Sequence, residues 1–190
     1  MKRDYDTLFP VSENLYRTIS LYLELKKKKK GEVLKPFGSV EILSRYICEG
    51  FIGVYYDFQG DPVLKYVLNP TDTAFDIQSY FSQQKSTIEI RALSDAVFFE
   101  FHKDSEIQVV SKFPEFARLG ILINHRIQDR LAQQMAILRM DFKHGYHAFI
   151  QFYPGIEKHL KYSDWAGLFQ CGIRTVSRVL NELKESNHEG

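Results

Sequence analysis

The sequence predicts an α+β fold built from three successive parts, and three observations carry that prediction. Short runs rich in β-branched and aromatic residues, broken by turn residues about every eight to twelve positions, fill the chain from Gly31 to Phe101, as in an antiparallel sandwich or barrel. From Glu115 to about Met140 apolar residues recur at spacings of three and four, with no proline and with Gly120 as the single glycine, which reads as one long helix. From Lys161 to Leu183 two short helical patterns flank a tight bend, the signature of a helix-turn-helix.

Composition sets the bounds. With 190 residues, 44% hydrophobic and 14% aromatic, the chain can bury one large core or two small ones. A formal net charge of +1 gives no global positive field, so affinity for nucleic acid has to come from a local patch. Cys48 and Cys171 lie far apart with no partner at metal-binding spacing and are expected as reduced thiols. The start, Met1-Lys-Arg-Asp-Tyr-Asp6, has no apolar signal core, and no apolar run approaches the roughly 20 residues that span a bilayer. A cytoplasmic protein with no membrane association is therefore expected. No glycine-rich phosphate loop, Ser-His-Asp order or carboxylate pair stands out, so neither an enzyme nor a bound cofactor is expected. His125, His144 and His147 read as exposed helical residues rather than metal or haem ligands. A rival enzymatic reading, a metal site on a cupin-like barrel, needs a His/Glu set on facing strands, and His102 alone among the histidines falls in the β region.

Taken in order, Val11 to Leu25 has a helical pattern with Leu15, Ile19, Tyr22 and Leu23 on one side. The lysine run Lys26 to Lys30 has the charge of a polybasic patch, but between Leu25 and Gly31-Glu-Val-Leu34 it reads more simply as an exposed strand and turn whose like charges protect a sheet edge. Strand candidates follow at Val40 to Cys48, Phe51 to Phe58, Val63 to Leu68, Ile88 to Leu93 and Ala96 to Phe101. The long helix then carries Phe116, Leu119, Ile123, Ile127, Leu131, Met135 and Leu138 over about 40 Å at 1.5 Å per residue. That exceeds the reach of a small sandwich, and pairing with a second copy along Leu119, Ile123, Ile127 and Leu131 is expected. A shorter aromatic helix (Tyr146, Phe149, Ile150, Phe152, Tyr153) stops at Pro154-Gly155. In the bihelical unit Ala166 leaves room for close helix contact, while Trp165, Phe169, Cys171, Val176 and Val179 form the shared seam. Gly172, Arg174, Thr175, Ser177 and Arg178 remain outside, the short hydrogen-bonders and cations that meet base edges and phosphates from a recognition helix. The alternative is a surface hairpin of solvated charges, because the tail is only mildly basic: Lys158, Lys161, Arg174, Arg178 and Lys184 face Glu157, Asp164, Glu182 and Glu185.

In order and proportion these parts resemble the cAMP-receptor/FNR-type (Crp/Fnr) transcription regulators over nearly the whole chain. The specific pieces are Lys30-Gly-Glu-Val-Leu34 with Gly38 and Gly50, Lys112-Phe-Pro-Glu-Phe-Ala-Arg-Leu119, and Asp164-Trp-Ala followed without gaps by Thr175-Val-Ser-Arg-Val-Leu180. The resemblance implies a β-roll (jelly roll) of the cyclic-nucleotide-binding type over residues 1–112, a dimerisation helix over 113–140 and a helix-turn-helix DNA-binding domain of the winged type over 141–190, with a truncated wing because little chain follows Leu183. It implies a homodimer on double-stranded DNA, at a pseudo-palindrome with half-sites about 34 Å apart. The alternative is a ligand-binding or interaction β-roll whose C-terminal unit has lost DNA binding.

Departures from the family pattern change what is expected. The bend position usually held by glycine is Gln170, which has to adopt a left-handed backbone. The family's base-reading Glu is matched by Arg174, which exchanges a cytosine-reading acceptor for a donor fork suited to guanine. In the family's phosphate-binding cassette, Asp76 and Ile77 stand where Gly and Glu belong, and Ser86 replaces the phosphate-clamping Arg. Arg91 matches a different, strand-borne arginine. Without the clamp and the ribose acceptor, tight cAMP binding is not expected. A pocket lined by Asp76, Ile77, Gln78, Ser79, Tyr80, Ser86 and Thr87 accepts another small-molecule effector of unknown identity, or is filled by its own side chains.

Overall fold

The computed structural model describes residues 1–186. Two short helices, α1 (Lys2–Leu8) and α2 (Glu13–Ser20), precede eight strands: β1 (Leu23–Lys28), β2 (Val33–Lys35), β3 (Leu43–Glu49), β4 (Ile52–Phe58), β5 (Asp61–Leu68), β6 (Thr73–Ala74), β7 (Ile88–Ala92) and β8 (Ala96–His102). Helix α3 (Ile77–Ser82) lies between β6 and β7, and α4 (Lys103–Lys112), α5 (Pro114–Leu138), α6 (Phe142–Phe152), α7 (Tyr162–Phe169) and α8 (Ile173–Ser186) complete the chain. A wing after Leu183 would fall beyond residue 186 and so outside the described residues, because α8 itself continues to Ser186.

The strands form two antiparallel four-stranded sheets, ordered β1-β8-β3-β6 and β2-β7-β4-β5. Period-2 alternation places Ile47, Ala74, Ala96 and Phe98 of the first sheet against Ile52, Ile90 and Ala92 of the second, making the core of the roll. The opposite face of the first sheet, with Tyr46 and Phe101, packs on α1, α2, α4 and α5 through Tyr5, Leu15, Tyr16, Ile19, Val109, Phe116 and Leu119. The hairpin between β4 and β5 turns on Gln59 and Gly60, both at positive φ (56° and 93°), with Phe58 and Asp61 paired on either side. Asp57 Oδ1 accepts from the Gly60 amide at 2.8 Å and holds the turn.

The lysine run forms β1 and the following turn, as its flanks predict, and β1 sits at a sheet edge paired only with β8. The helix expected over Val11 to Leu25 is shorter: α2 stops at Ser20, and Leu23 and Leu25 pair with Phe101 and Phe99 in β1. Strand pairing satisfies six successive residues at once, which outweighs the continued helical spacing of Tyr22 and Leu23. Helices α1 and α4 were not legible in the sequence. Each buries a single residue, Tyr5 and Val109 respectively, too few to imprint a periodicity.

The long helix runs 25 residues with Pro114 in its first turn, close to the predicted span. Its inward face changes character along its length. Phe116, Leu119 and Ile123 pack on the apolar cluster below the first sheet. One turn further, Arg126 contacts both carboxylate oxygens of Asp4 at 2.9 and 3.0 Å. Arg130 binds Asp72 and Thr71. Gln134, 1% exposed, exchanges two hydrogen bonds with the Val67 backbone, accepting from its amide at 3.1 Å and donating to its carbonyl at 2.8 Å, and also donates to the Tyr153 hydroxyl. Because β5 is an edge strand, Gln134 supplies the pairing that a further strand would. Residues 126, 130 and 134, four apart, thus dock the helix by polar contacts where the sequence suggests only an apolar stripe.

Candidate nucleic-acid interface

Helix α7 begins at a one-sided cap in which the Lys161 amide donates to Asp164 Oδ2 at 2.8 Å. It ends on Gln170 in the left-handed region (φ 50°, ψ 40°), as the missing glycine requires. The Cys171 amide returns to the Ala166 carbonyl at 3.1 Å, closing the bend. Trp165, Leu168, Phe169, Val176 and Val179 are buried in the seam, with Ala166 and Cys171 packed at its border. Gly172 opens α8: its carbonyl accepts from the Thr175 and Val176 amides at 2.9 and 3.2 Å.

The predicted recognition residues emerge together on the first two turns of α8. Gly172, Arg174 and Arg178 are exposed, and Thr175 and Ser177 are half-buried at the margin of the seam. Among the described residues Arg174 makes no ion pair, so its guanidinium stands free to meet a partner. Arg178 pairs with Glu182 at 2.7 Å, one turn on, at a site where the Arg178 side chain stays 66% exposed; a phosphate has to compete with that carboxylate. Ile173, 55% exposed beside Arg174, is a contact candidate that the sequence reading did not name. Its apolar character suits a thymine methyl, and sequence periodicity hides it, because three residues before the buried Val176 it falls on the seam side of the helical wheel and is exposed only as the first residue of α8.

The bihelical unit is seated on the β-roll. Trp165, Leu168 and Phe169 share one core with Tyr55, Leu64, Val67 and Leu93 of the roll. At Gly167 a Cβ would lie 2.8 Å from Val63 and 3.0 Å from the Leu64 carbonyl, so only glycine allows this approach. A second close approach is at Gly145 on α6, where a Cβ would lie 2.3 Å from the Phe169 ring. Both glycines sit inside helices where no turn needs them. Mid-helix glycine was the signal that could have revealed this docking.

The predicted effector residues lie on the other side of the roll, and the structure fills the space among them. Asp76 caps α3, accepting from the Ser79 amide at 3.2 Å and the Ser86 hydroxyl at 2.5 Å. Ser79 Oγ accepts from the Glu41 amide at 2.9 Å, and Glu41 accepts from Arg45 at 3.1 Å. Arg45 continues to Glu100 at 3.2 Å. Lys35, whose pKa burial pushes down, donates to the Ile88 carbonyl at 2.7 Å. Charges and hydroxyls therefore satisfy one another where a bound anion would have to enter. Ile77 is half-buried, and Gln78 and Thr87 are exposed. Of the seven residues only Tyr80 borders an apolar cavity of about 90 Å³, which lies outside the roll between the first sheet, α1, α2, α3 and α5.

The dimer residues divide similarly. Leu119 is fully buried in its own chain and is unavailable to a partner, which corrects its assignment. Ile123 packs on the same cluster and borders the cavity. Ile127 and Leu131 are half-buried, while Ile121 and Met135 are 57% and 40% exposed. The correction follows from the polar anchors at 126, 130 and 134, which turn the helix by about one residue relative to the stripe read from hydrophobicity alone. Of the histidines considered, His102 caps α4 by accepting from the Asp104 amide at 3.2 Å, and His144 pairs with Asp141 at 2.6 Å. Among the described residues no helix is long and apolar enough to cross a membrane.

A scan against protein-family models finds no match, and a search of curated proteins finds none either. Solved structures do match. The c-di-GMP-responsive global regulator CLP of Xanthomonas campestris superposes with a TM-score of 0.70 at 11% identity, over 93% of each chain. A Crp/Fnr-family transcriptional regulator from Eubacterium rectale, itself described as putative, gives 0.62 at 15% identity over 95% of this chain and 88% of its own. A cyclic nucleotide-binding domain from Methylobacillus flagellatus gives 0.59 at 13% identity over 67% of this chain and 74% of its own. With a roll of two four-stranded sheets, a long helix and a bihelical C-terminal unit in the same order, the chain has the fold of the Crp/Fnr-type transcription regulators.

Proposed function

We propose that this chain is a homodimeric DNA-binding transcription regulator of the Crp/Fnr type, sensing a small-molecule effector other than cAMP or none. The observation that carries the reading is the left-handed Gln170 bend, which projects Gly172, Arg174 and Thr175 from the start of α8 while Val176 and Val179 hold the helix from behind. In this reading Arg174 reads guanine O6 and N7, Arg178 exchanges Glu182 for a phosphate, and Thr175 and Ser177 assist. Two copies pair along α5 through the exposed Ile121 and Met135 and the half-buried Ile127 and Leu131, which lie outside the apolar cluster under the first sheet. The filled cassette around Asp76, Ser79 and Ser86 speaks against a cyclic nucleotide bound there.

Selection of preferred DNA from a random pool, followed by mobility shifts at low salt, tests the reading. Arg174→Ala should lower affinity for the selected site by about 1–3 kcal/mol and relax the preference at one base position. Arg178→Ala should weaken all sequences alike and reduce the salt slope by about one. If no sequence is enriched and both variants bind DNA like the parent, the bihelical unit is an interaction surface and the regulator reading falls.

A further inference from the structure

The cavity outside the roll has a wall unlike the cassette. Tyr46, Phe99 and Phe101 of the first sheet form its floor, Tyr80 and Phe81 of α3 one side, and Gly120, Ile123 and Asn124 of α5 another. Its volume, about 90 Å³, is several times the about 10–15 Å³ that admits one water. Phe81 at its edge is 61% exposed, a large apolar side chain left in solvent beside an apolar space. Gly120 sits within α5 at ordinary helical φ, and a Cβ there would meet nothing within 4 Å. No contact inside this chain therefore requires glycine, although glycine weakens a helix; the missing side chain is cavity space. The polar lining is acceptor-rich. Glu106 accepts from the Tyr80 hydroxyl, and burial together with that carboxylate pushes the Tyr80 pKa up, so the phenol stays a neutral donor. Ser44 and Thr73 add hydroxyls, and no lysine, arginine or histidine side chain lines the space.

We propose that this cavity, open to solvent beside Phe81, binds a small, uncharged aromatic molecule carrying an N–H or O–H donor, a single ring filling the space and a second ring extending along Phe81. The ring stacks among Tyr46, Phe99 and Phe101 and the donor is directed to Glu106. The Glu106 carboxylate on the lining favours a hydrogen-bond donor there, and the nearest cations are already engaged outside the space, Lys103 with the Tyr80 carbonyl and Arg126 with Asp4, so neither is offered to a phosphate or carboxylate. Binding at the cavity stands on this geometry alone. Its consequence for DNA rests on the regulator reading above: a ligand wedged between the first sheet and Gly120–Asn124 sets the position of α5 where two copies would meet.

Calorimetric titration of the full chain with indole, 1-methylindole and cAMP tests the site. Indole should bind saturably at one site per chain, 1-methylindole, which lacks the donor, about tenfold more weakly, and cAMP not at this site. Gly120→Leu fills the cavity and should weaken indole at least tenfold with an unchanged circular dichroism spectrum. If that variant fails to fold, Ser44→Leu fills the space from the opposite wall and carries the same readout. Glu106→Gln should reduce the preference for indole over 1-methylindole several-fold. Absence of saturable indole binding up to millimolar concentration, or binding undiminished by a folded filling variant, overturns the proposal. No DNA enters these titrations, so loss of the regulator reading leaves their outcome untouched, and a failed titration leaves the DNA result standing.

Discussion

Individual residues here hold conformations and charges that the rest of the fold compensates. Gln170 has φ 50°, a backbone region that costs a non-glycine residue about 1 kcal/mol. Gln170→Gly should raise stability by about 0.5–1 kcal/mol in urea denaturation, with no change in the seam residues. The opposite sign is expected at Arg45. It is 2% exposed between Glu41, 1% exposed, and Glu100, and this buried triad exists only while each charge has its partner. Arg45→Ala leaves the buried Glu41 without its hydrogen-bonded guanidinium, with only the nearby Lys35 as counter-charge, and should destabilise the chain by about 3 kcal/mol, read from the same denaturation curves. Arg174 could be located from sequence because it sits at a fixed offset from the bend. The Glu41–Arg45–Glu100 cluster could not, because Glu100 reaches Arg45 only through the register of β3 on β8, and nothing local marks the neighbouring Glu41 as buried.

At the scale of elements, α5 shows how a stripe in sequence divides into two uses. Hydrophobic spacing located the helix to within a residue or two, but did not say which apolar residues face inward. The polar ladder of Arg126, Arg130 and Gln134 decided that, and its partners Asp4, Asp72 and Val67 are remote in sequence. Gln134→Leu keeps the volume and removes both bonds to the Val67 backbone. It should cost about 1–3 kcal/mol and speed amide exchange at Val67, where the edge of β5 loses the acceptor that Gln134 supplies. The same logic applies to α7, whose place on β5 depends on Gly167 having no side chain. Helix identity came from the local pattern; helix placement came from contacts that no local pattern encodes.

For the molecule as a whole, one aromatic core under the first sheet joins α1, α2 and α5 to the roll, and a second joins the roll to the bihelical unit. Several of these rings are tyrosines held from water. Burial pushes Tyr5 up to about 12, and Tyr16, Tyr46, Tyr55 and Tyr153 are also raised, with burial again the main cause. An acid with a raised folded-state pKa contributes stability that is complete below its unfolded value near 10 and is lost as pH climbs through the folded value. Stability should therefore hold up to about pH 10 and fall steeply between about pH 10 and 12. Tyr5 alone accounts for about 2–3 kcal/mol of that loss, and Tyr5→Phe should flatten the decline in a melting series across alkaline pH.

The sequence by itself determined the order and type of the parts: the alternating runs of the roll, the long helix, the paired helices and the residues projecting from the last of them. Period and turn chemistry are local properties, and each is written in neighbouring residues. Through the family resemblance it also raised the expectation that the phosphate clamp is missing, with Ser86 at the matching position. Only the tertiary structure decided that Asp76, Ser79 and Ser86 are closed by Glu41 and Arg45, that Leu119 is spent inside its own chain, and that open space lies outside the roll against Gly120. Those outcomes depend on which side chains meet across sheets and helices far apart in sequence, where volume and charge have to balance jointly.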